Sequence, residues 1–268
     1  MYLLFDIGGT KFRYAISRDR ETIDEPVIVP TPKTYEEILE TFRKIQKGLN
    51  KEELDAVVLG IAGSQDKEHT QILHSKNLPQ VIRMPLKKDL ERIFGSSVLL
   101  ENDAIIAGIG EAVYGAGKGH RIVAYMTVST GVGGARIVDG RSDVNAMGFE
   151  PGKQIIEQGE NLESLISGTG VKERYGKDPR EIRDEKTWND ISRLLAMGLN
   201  NTIIHWSPDI VVLGGSMILG EPSIPLDVMK KYLQDILTTF PQLPPIEKAA
   251  LGDSAGLYGA LELAKRHV

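Results

Sequence analysis

A short apolar run, Tyr2-Leu3-Leu4-Phe5, ends in Asp6-Ile7-Gly8-Gly9-Thr10-Lys11. A second strand-like run, 121–129, ends in Thr130-Gly131-Val132-Gly133-Gly134. Each reads as a strand closed by a glycine-tipped hairpin. Behind the first, the pattern predicts strands at 12–18 and 23–29, a helix at 35–49, a strand at 55–63, a helix at 86–94 and a strand at 97–100. After a helix at 104–114 and the second hairpin come a helix at 186–205, a strand at 210–215, a helix at 224–239, a strand at 246–251 and a helix at 254–267. A chain that restarts in this way is constrained toward two duplicated α/β domains facing a cleft.

The individual elements carry their own signals. Ile38, Leu39, Phe42, Ile45 and Leu49 recur at helical spacing. The unbroken run Asp55-Ala56-Val57-Val58-Leu59-Gly60-Ile61-Ala62-Gly63 suits a strand buried on both faces. Polar sequence carrying glycine and proline from 139 to 161 predicts loop, and Leu162-Glu163-Ser164 is expected to continue it.

A chain of 268 residues with net charge −5 offers no electrostatic ground for nucleic acid or an anionic membrane as partner. It contains no cysteine, which excludes disulfides, thiolate catalysis and any cysteine zinc site. No apolar stretch approaches the roughly 18–20 residues that span a bilayer, and the first residues lack the basic n-region of a signal peptide. The expectation is a cytoplasmic, soluble protein.

The residues at the strand ends carry the chemistry. Gly8 and Gly9 let backbone N–H groups approach an anion, since no Cβ intervenes. Asp6 beside phosphate implies a divalent cation between them, hence Mg²⁺. An ordinary Gly-Gly turn accounts for the hexapeptide equally well. Thr130, Gly131 and Gly133 repeat the arrangement, and two such turns favour phosphate binding over structure. Glu101-Asn102-Asp103 stands where a buried strand meets a helix start, so its side chains point to a ligand crevice. There Asp103 could take a proton from a hydroxyl and Asn102 could fix the substrate; helix capping is the competing role. Gly214 and Gly215 could form a shelf for a flat ring or merely turn the chain. Glu150, Lys153 and Glu163 lie in sequence read as loop, where charged residues are usually solvated. The five histidines show no metal-ligand spacing.

In order, these motifs resemble the ROK family of sugar kinases within the actin-like ATPase superfamily. The family's first phosphate motif matches Asp6-Ile7-Gly8-Gly9-Thr10-Lys11, its sugar and base motif Glu101-Asn102-Asp103-Ala104, and its second phosphate motif 129–134 followed by Ile137-Val138-Asp139-Gly140. The adenosine region is similar to 208–215, and the C-terminal helix to Ala255-Gly256-Leu257-Tyr258-Gly259-Ala260. The resemblance implies an α/β fold of two actin-like (ribonuclease H-like) domains, 1–104 with 256–268, and 105–255. It implies ATP and Mg²⁺ as cofactors, with Asp6 holding the ion through water. Gly8, Gly9, Thr10, Lys11, Thr130, Gly131, Gly133, Gly214 and Gly215 would line the nucleotide. Asp103 would be the general base for transfer to a primary hydroxyl of a glucose-like hexose, and Asn77, Asn102, Glu150, Lys153 and Glu163 would contact the sugar. Dimerisation of the chain follows from the resemblance alone.

The chain departs from the family pattern in two places. Lys153 replaces a histidine that ordinarily touches metal and sugar, and the cysteine-rich zinc loop is shortened to 154–161, so no zinc site is expected. The helix-turn-helix segment of the family's regulators does not precede the first strand, which argues against a DNA-binding repressor. A non-catalytic sugar- or nucleotide-binding protein on the same scaffold is the alternative, motivated by Lys153 pairing with a neighbouring carboxylate.

Overall fold

The computed structural model describes residues 1–49 and 52–267. Residues 50, 51 and 268, which fall within the expected N-terminal domain, lie outside the described residues. In chain order the first stretch runs β1 Tyr2–Ile7, β2 Lys11–Ser17, β3 Val27–Pro30, α1 Tyr35–Gly48, β4 Ala56–Ile61, β5 Ser64–Gln65 and β6 Ile72–His74. It continues with α2 Leu86–Phe94, β7 Val98–Asn102 and α3 Asp103–Val113. Then follow β8 Ile122–Val128, β9 Val132–Val138, β10 Arg141–Ser142, β11 Ile155–Glu157, β12 Glu160–Asn161, α4 Leu162–Ile166 and α5 Gly168–Tyr175. The chain ends with α6 Glu185–Trp206, β13 Ile210–Gly214, α7 Ser216–Leu219, α8 Leu226–Ile236, β14 Ile246–Lys248 and α9 Ala255–His267. Among the described residues no helix is long and apolar enough to cross a membrane.

These elements form two compact units, one of residues 1–113, 145–148 and 253–268, the other of 114–144 and 149–252. The sheet of the first has the order β3-β2-β1-β4-β7, and that of the second β10-β9-β8-β13-β14. In each, the first three strands are antiparallel neighbours and the last two join in parallel. Both sheets thus have the same strand order, the arrangement expected of an actin-like domain.

In the first unit, one sheet face is sealed by an aromatic cluster of Phe5, Phe12, Phe42 and Phe94, with ring centroids 4.9–6.0 Å apart. Such edge-on contacts add to the large apolar area these rings bury. α1 is brought in with a capping box, Thr34 Oγ1 accepting from Glu37 N while Glu37 returns a carboxylate to Thr34 N. On the opposite face, Leu257, Ala260, Leu261 and Ala264 of α9 cover Tyr2, Leu4, Ala56 and Val58. β4 lies between the two layers and all six of its residues are buried, as its unbroken apolar run requires. In the second unit α6 supplies Ile191, Leu194, Leu195 and Leu199 to the core beneath β8 and β13. Its N-terminus is capped by Asp184, whose carboxylate accepts from Thr187 N at 2.9 Å.

Several local readings change, among them the strand expected at 246–251, which is the three-residue β14, and the helix expected at 224–239, which is the shorter α8. The strand expected at 23–29 is the shorter β3, and it follows a turn in which the Asp19 carboxylate gathers Glu21 N, Thr22 N and the Thr22 hydroxyl. The loop expected from 139 to 161 contains the hairpin β11–β12, whose tip residues Gln158 and Gly159 both have positive φ, as the two-residue turn demands. The polar stretch at 162–164 is the start of α4, since Asn161 Oδ1 caps it by accepting from Ser164 N at 2.9 Å.

α3 and α9 touch almost backbone to backbone. A Cβ on Gly259 would lie 1.7 Å from the carbonyl oxygen of Ile106, and one on Gly110 would lie 2.2 Å from that of Ala255. Gly259→Ala therefore forces the helices apart and is expected to lower unfolding free energy by about 1–3 kcal/mol. Gly48→Ala, where a Cβ meets nothing within 4 Å, should leave stability unchanged or raise it by roughly 0.5 kcal/mol. Urea midpoints of the two variants check the contrast.

Candidate active site

The register Ile7↔Phe12 sets the first glycine turn between β1 and β2. Gly8 N donates to Lys11 O at 3.0 Å, the Thr31 hydroxyl donates to Gly8 O at 2.7 Å, and Thr31 N donates to Thr10 O at 3.1 Å. The turn is thus held from behind by the residue after β3, with Gly9, Thr10 and Lys11 exposed. Asn77 lies against it, for a Cβ on Gly9 would sit 2.9 Å from Asn77 Cβ. Ser75 anchors the Asn77 segment, its hydroxyl donating to Ala62 O at 2.7 Å and accepting from Leu78 N at 3.1 Å.

Beside this turn the unit gathers charges that are far apart in the chain. Asp6 faces Arg13 across the β1–β2 ladder, and Arg13 Nη1 donates to Asp6 Oδ2 at 3.1 Å. Arg13 Nη2 donates to Asp253 Oδ1 at 3.0 Å, and Lys11 Nζ donates to Asp253 Oδ2 at 2.7 Å. Burial pushes the Asp6 carboxyl up to about 7 against the pull of Arg13, and the charges of Asp103 and Asp253 add to the rise. The hydrogen bond from Lys11, with Arg13 beside it, holds Asp253 below the usual carboxylate range. α9 reaches this cluster through Gly256, where a Cβ would lie 2.8 Å from Asp6 Cγ. Arg13 and Asp253 were not among the residues singled out from the sequence. Arg13 was within reach of that reading, because the hairpin register places it opposite Asp6. Asp253 had no local signal.

At the β7–α3 junction, Asn102 and Asp103 both engage the start of the helix. Asn102 Oδ1 accepts from Ala104 N at 2.9 Å and Ile105 N at 3.2 Å, while Nδ2 donates to Gly63 O at 3.0 Å. Its side chain therefore caps α3 and ties β7 to the end of β4. Asp103 occupies the first position of α3, with Oδ1 accepting from Ala104 N at 3.0 Å. Among the described residues no three His, Cys, Asp or Glu side chains group closely enough to hold a metal ion unaided.

In the second unit, β8 and β9 meet with Val128 opposite Val132, and Ser129 N donates to Gly131 O at 2.8 Å. Thr130 is exposed at the tip, while Gly133 pairs opposite Thr127 in the ladder. Gly168 N at the start of α5 donates to Ser129 O at 2.7 Å. The Glu163 carboxylate, on α4, accepts from Val132 N at 3.0 Å and from Lys153 Nζ at 2.6 Å. Lys153 closes the 3₁₀ turn Pro151–Lys153, and Glu150, exposed just before it, accepts Lys153 N on its carbonyl at 3.0 Å. Gly214 ends β13, and Gly215 has φ 88° with a Cβ position 2.3 Å from Val128 O, which only glycine fills. The Ser129 and Ser216 hydroxyls meet at 3.1 Å, joining the turns after β8 and β13. The first unit thus carries Asp6, Gly8, Gly9, Thr10, Lys11, Asn77, Asn102 and Asp103. The second carries Thr130, Gly131, Gly133, Glu150, Lys153, Glu163, Gly214 and Gly215.

The ROK family model matches residues 2–267. An N-acetyl-D-glucosamine kinase from Vibrio atlanticus is 29% identical, with 97% of this chain and 98% of that one aligned. A ROK hexokinase from Thermus thermophilus superposes with a TM-score of 0.87 at 28% identity, covering 100% and 99% of the two chains. A ROK family glucokinase from Streptomyces griseus, solved with glucose and AMPPNP, has a TM-score of 0.78 at 26% identity, covering 99% of each.

The Asp6 carboxyl, raised from 3.8 to about 7, holds its proton more tightly in the folded protein than in the unfolded chain. Its contribution to stability therefore falls as pH rises from about 4 to about 7. Asp6→Asn should match the parent near pH 4 and be the more stable at pH 8, by up to about 4 kcal/mol. Urea unfolding of both proteins at the two pH values, without nucleotide, reads the difference; a parent that gains on the variant with rising pH contradicts it.

Proposed function

The chain belongs to the ROK family, and on that footing we propose that it is an ATP-dependent sugar kinase acting on a primary hydroxyl of a hexose. The observation that carries the reading is the parallel register of β1, β4 and β7, with Asp6 opposite Gly60 and Gly60 opposite Glu101, which sets the first glycine turn and the Asn102-Asp103 junction at the same end of one sheet. Asp103 accepts the proton of the attacking hydroxyl as its oxygen bonds to the γ-phosphorus and ADP leaves. The glycine turn of each unit would offer backbone N–H groups to phosphate oxygens, where charge spreads over the transferred group. The names of the relatives, an N-acetyl-D-glucosamine kinase, a hexokinase and a glucokinase, support a sugar as the acceptor.

The Asp6 surroundings suit Mg²⁺ arriving on the nucleotide. Burial and the charges of Asp103 and Asp253 raise the cost of a carboxylate charge there, and hard oxygen donors with water and phosphate would complete the coordination that this ion prefers. Bound there through water, Mg²⁺ would neutralise charge on the β- and γ-phosphates. Asn77, Glu150, Lys153 and Glu163 offer donors and acceptors to sugar hydroxyls, whereas Asn102 serves mainly by capping α3 and so orienting Asp103.

One observation keeps the non-catalytic reading in play, namely the Lys153–Glu163 ion pair, which occupies two of the proposed sugar contacts. An ADP-release assay over a panel of hexoses and amino sugars separates the two. Turnover on at least one sugar is expected, and saturable binding without ADP release on all of them favours the alternative. Asp103→Asn should still bind sugar while losing at least ~10² in turnover, the scale of a general base. Near-normal turnover in that variant removes Asp103 from the role.

A further inference from the structure

The Glu163 carboxylate reaches both Lys153 and Val132. Oε1 accepts from Lys153 Nζ at 2.6 Å, and Oε2 accepts from Val132 N at 3.0 Å. The acid is largely enclosed, with 19% of its side chain exposed against 54% for the lysine. The second glycine turn is shaped around it, since a Cβ on Gly131 would lie 2.7 Å from Oε2. The backbone following Glu163 grips the same turn. Ser167 N donates to Glu163 O at 3.1 Å, and the next residue, Gly168, donates its N–H to Ser129 O at 2.7 Å. Residues 163–168 therefore hold the phosphate turn through both a side chain and a main chain.

The lysine differs in kind. A half-exposed ion pair contributes little to folding stability, so stability is a weak reason for Lys153 to stand here. An ammonium has three donors, and its bond to Glu163 uses one while fixing the direction of the others.

We propose that Glu163 is a positioning residue that couples Lys153, a sugar-specificity contact, to the phosphate turn at Gly131 and Val132. The proposal rests on the kinase reading above and assigns different work to the two members of the pair. Lys153 presents its remaining donors to a sugar oxygen. Glu163 aims that ammonium and at the same time sets the backbone of the turn, so one carboxylate registers both substrates.

The test is a kinetic double-mutant cycle of Lys153→Met, Glu163→Gln and the double variant on the best sugar of the panel, with Lys153→Arg as the conservative control. Lys153→Met should raise the sugar KM about tenfold, the scale of one charged hydrogen bond, and leave the ATP KM within about twofold. Lys153→Arg should recover most of that loss. Glu163→Gln should raise both KM values and lower kcat, and the double variant should be no worse than Glu163→Gln within about twofold. An unchanged sugar KM in Lys153→Met, which alters only an exposed side chain, overturns the proposal, as do effects that simply multiply in the double variant. Amide exchange at Val132 in the ligand-free protein gives a reading independent of turnover. Glu163→Gln should speed it and Lys153→Met should not. If the parent turns over no sugar, the kinase reading fails by itself, and unchanged Val132 exchange in Glu163→Gln is what overturns the coupling.

Discussion

The glycine-lined contact of α9 with α3 and β1 is the constraint on which the first unit turns. Helix axes can approach only as far as the side chains between them allow, and here Gly110, Gly256 and Gly259 remove those side chains. Three consequences follow from one close approach. α9 seals the sheet face opposite the phenylalanine cluster. Asp253, two residues before α9, reaches Lys11 and Arg13 at the first glycine turn. The buried Asp6 loses water to Gly256 and gains the repulsion of two acids, which is why its carboxyl is raised. Packing and site electrostatics are in this sense a single arrangement.

The second unit repeats the strand order but stabilises its turn differently. In the first unit, Thr31 and Asn77 steady the turn with neutral groups, and the charges stand behind it at Asp6 and Arg13. In the second, a carboxylate sits directly on the turn, taking the Val132 N–H and a lysine together. A family variant without cysteine still needs to hold the 150–153 turn in place. Here the buried Pro151 and Gly152, with Gln154 Nε2 donating to Pro151 O and Gly198 O, seat that turn, and Lys153 reaches from it to Glu163 on α4.

Much of this fold was legible in the residues, for identifiable reasons. β4 read as a two-sided buried strand because six consecutive small and branched residues suit no amphipathic element, and all six are buried. α6 read as a long helix because its apolar positions keep a helical period that tertiary packing then used. The repeat of hairpin, helix and strand was visible as two glycine turns of similar composition. α4 was missed because 162–164 follow a polar stretch read as loop, although Asn161 stands three residues before Ser164, the spacing of a helix cap. At the site, the sequence left Asn102 and Asp103 undecided between capping and chemistry. In the structure both side chains accept from Ala104 N, and Asn102 also takes Ile105 N.

What the sequence determined by itself was the order of elements and the kinds of groups at the strand ends. Both follow from local rules, since strand alternation, helical period and glycine turns depend on neighbours within a few residues. Tertiary structure alone decided which of those groups would share an environment. Asp253 meets Arg13 across 240 positions of chain, and no local pattern encodes that contact. The raised carboxyl of Asp6 and the direction of Lys153 are likewise properties of what is packed around them. Burial and Coulomb interaction depend on distance in space, and distance in space is set only when the chain has folded.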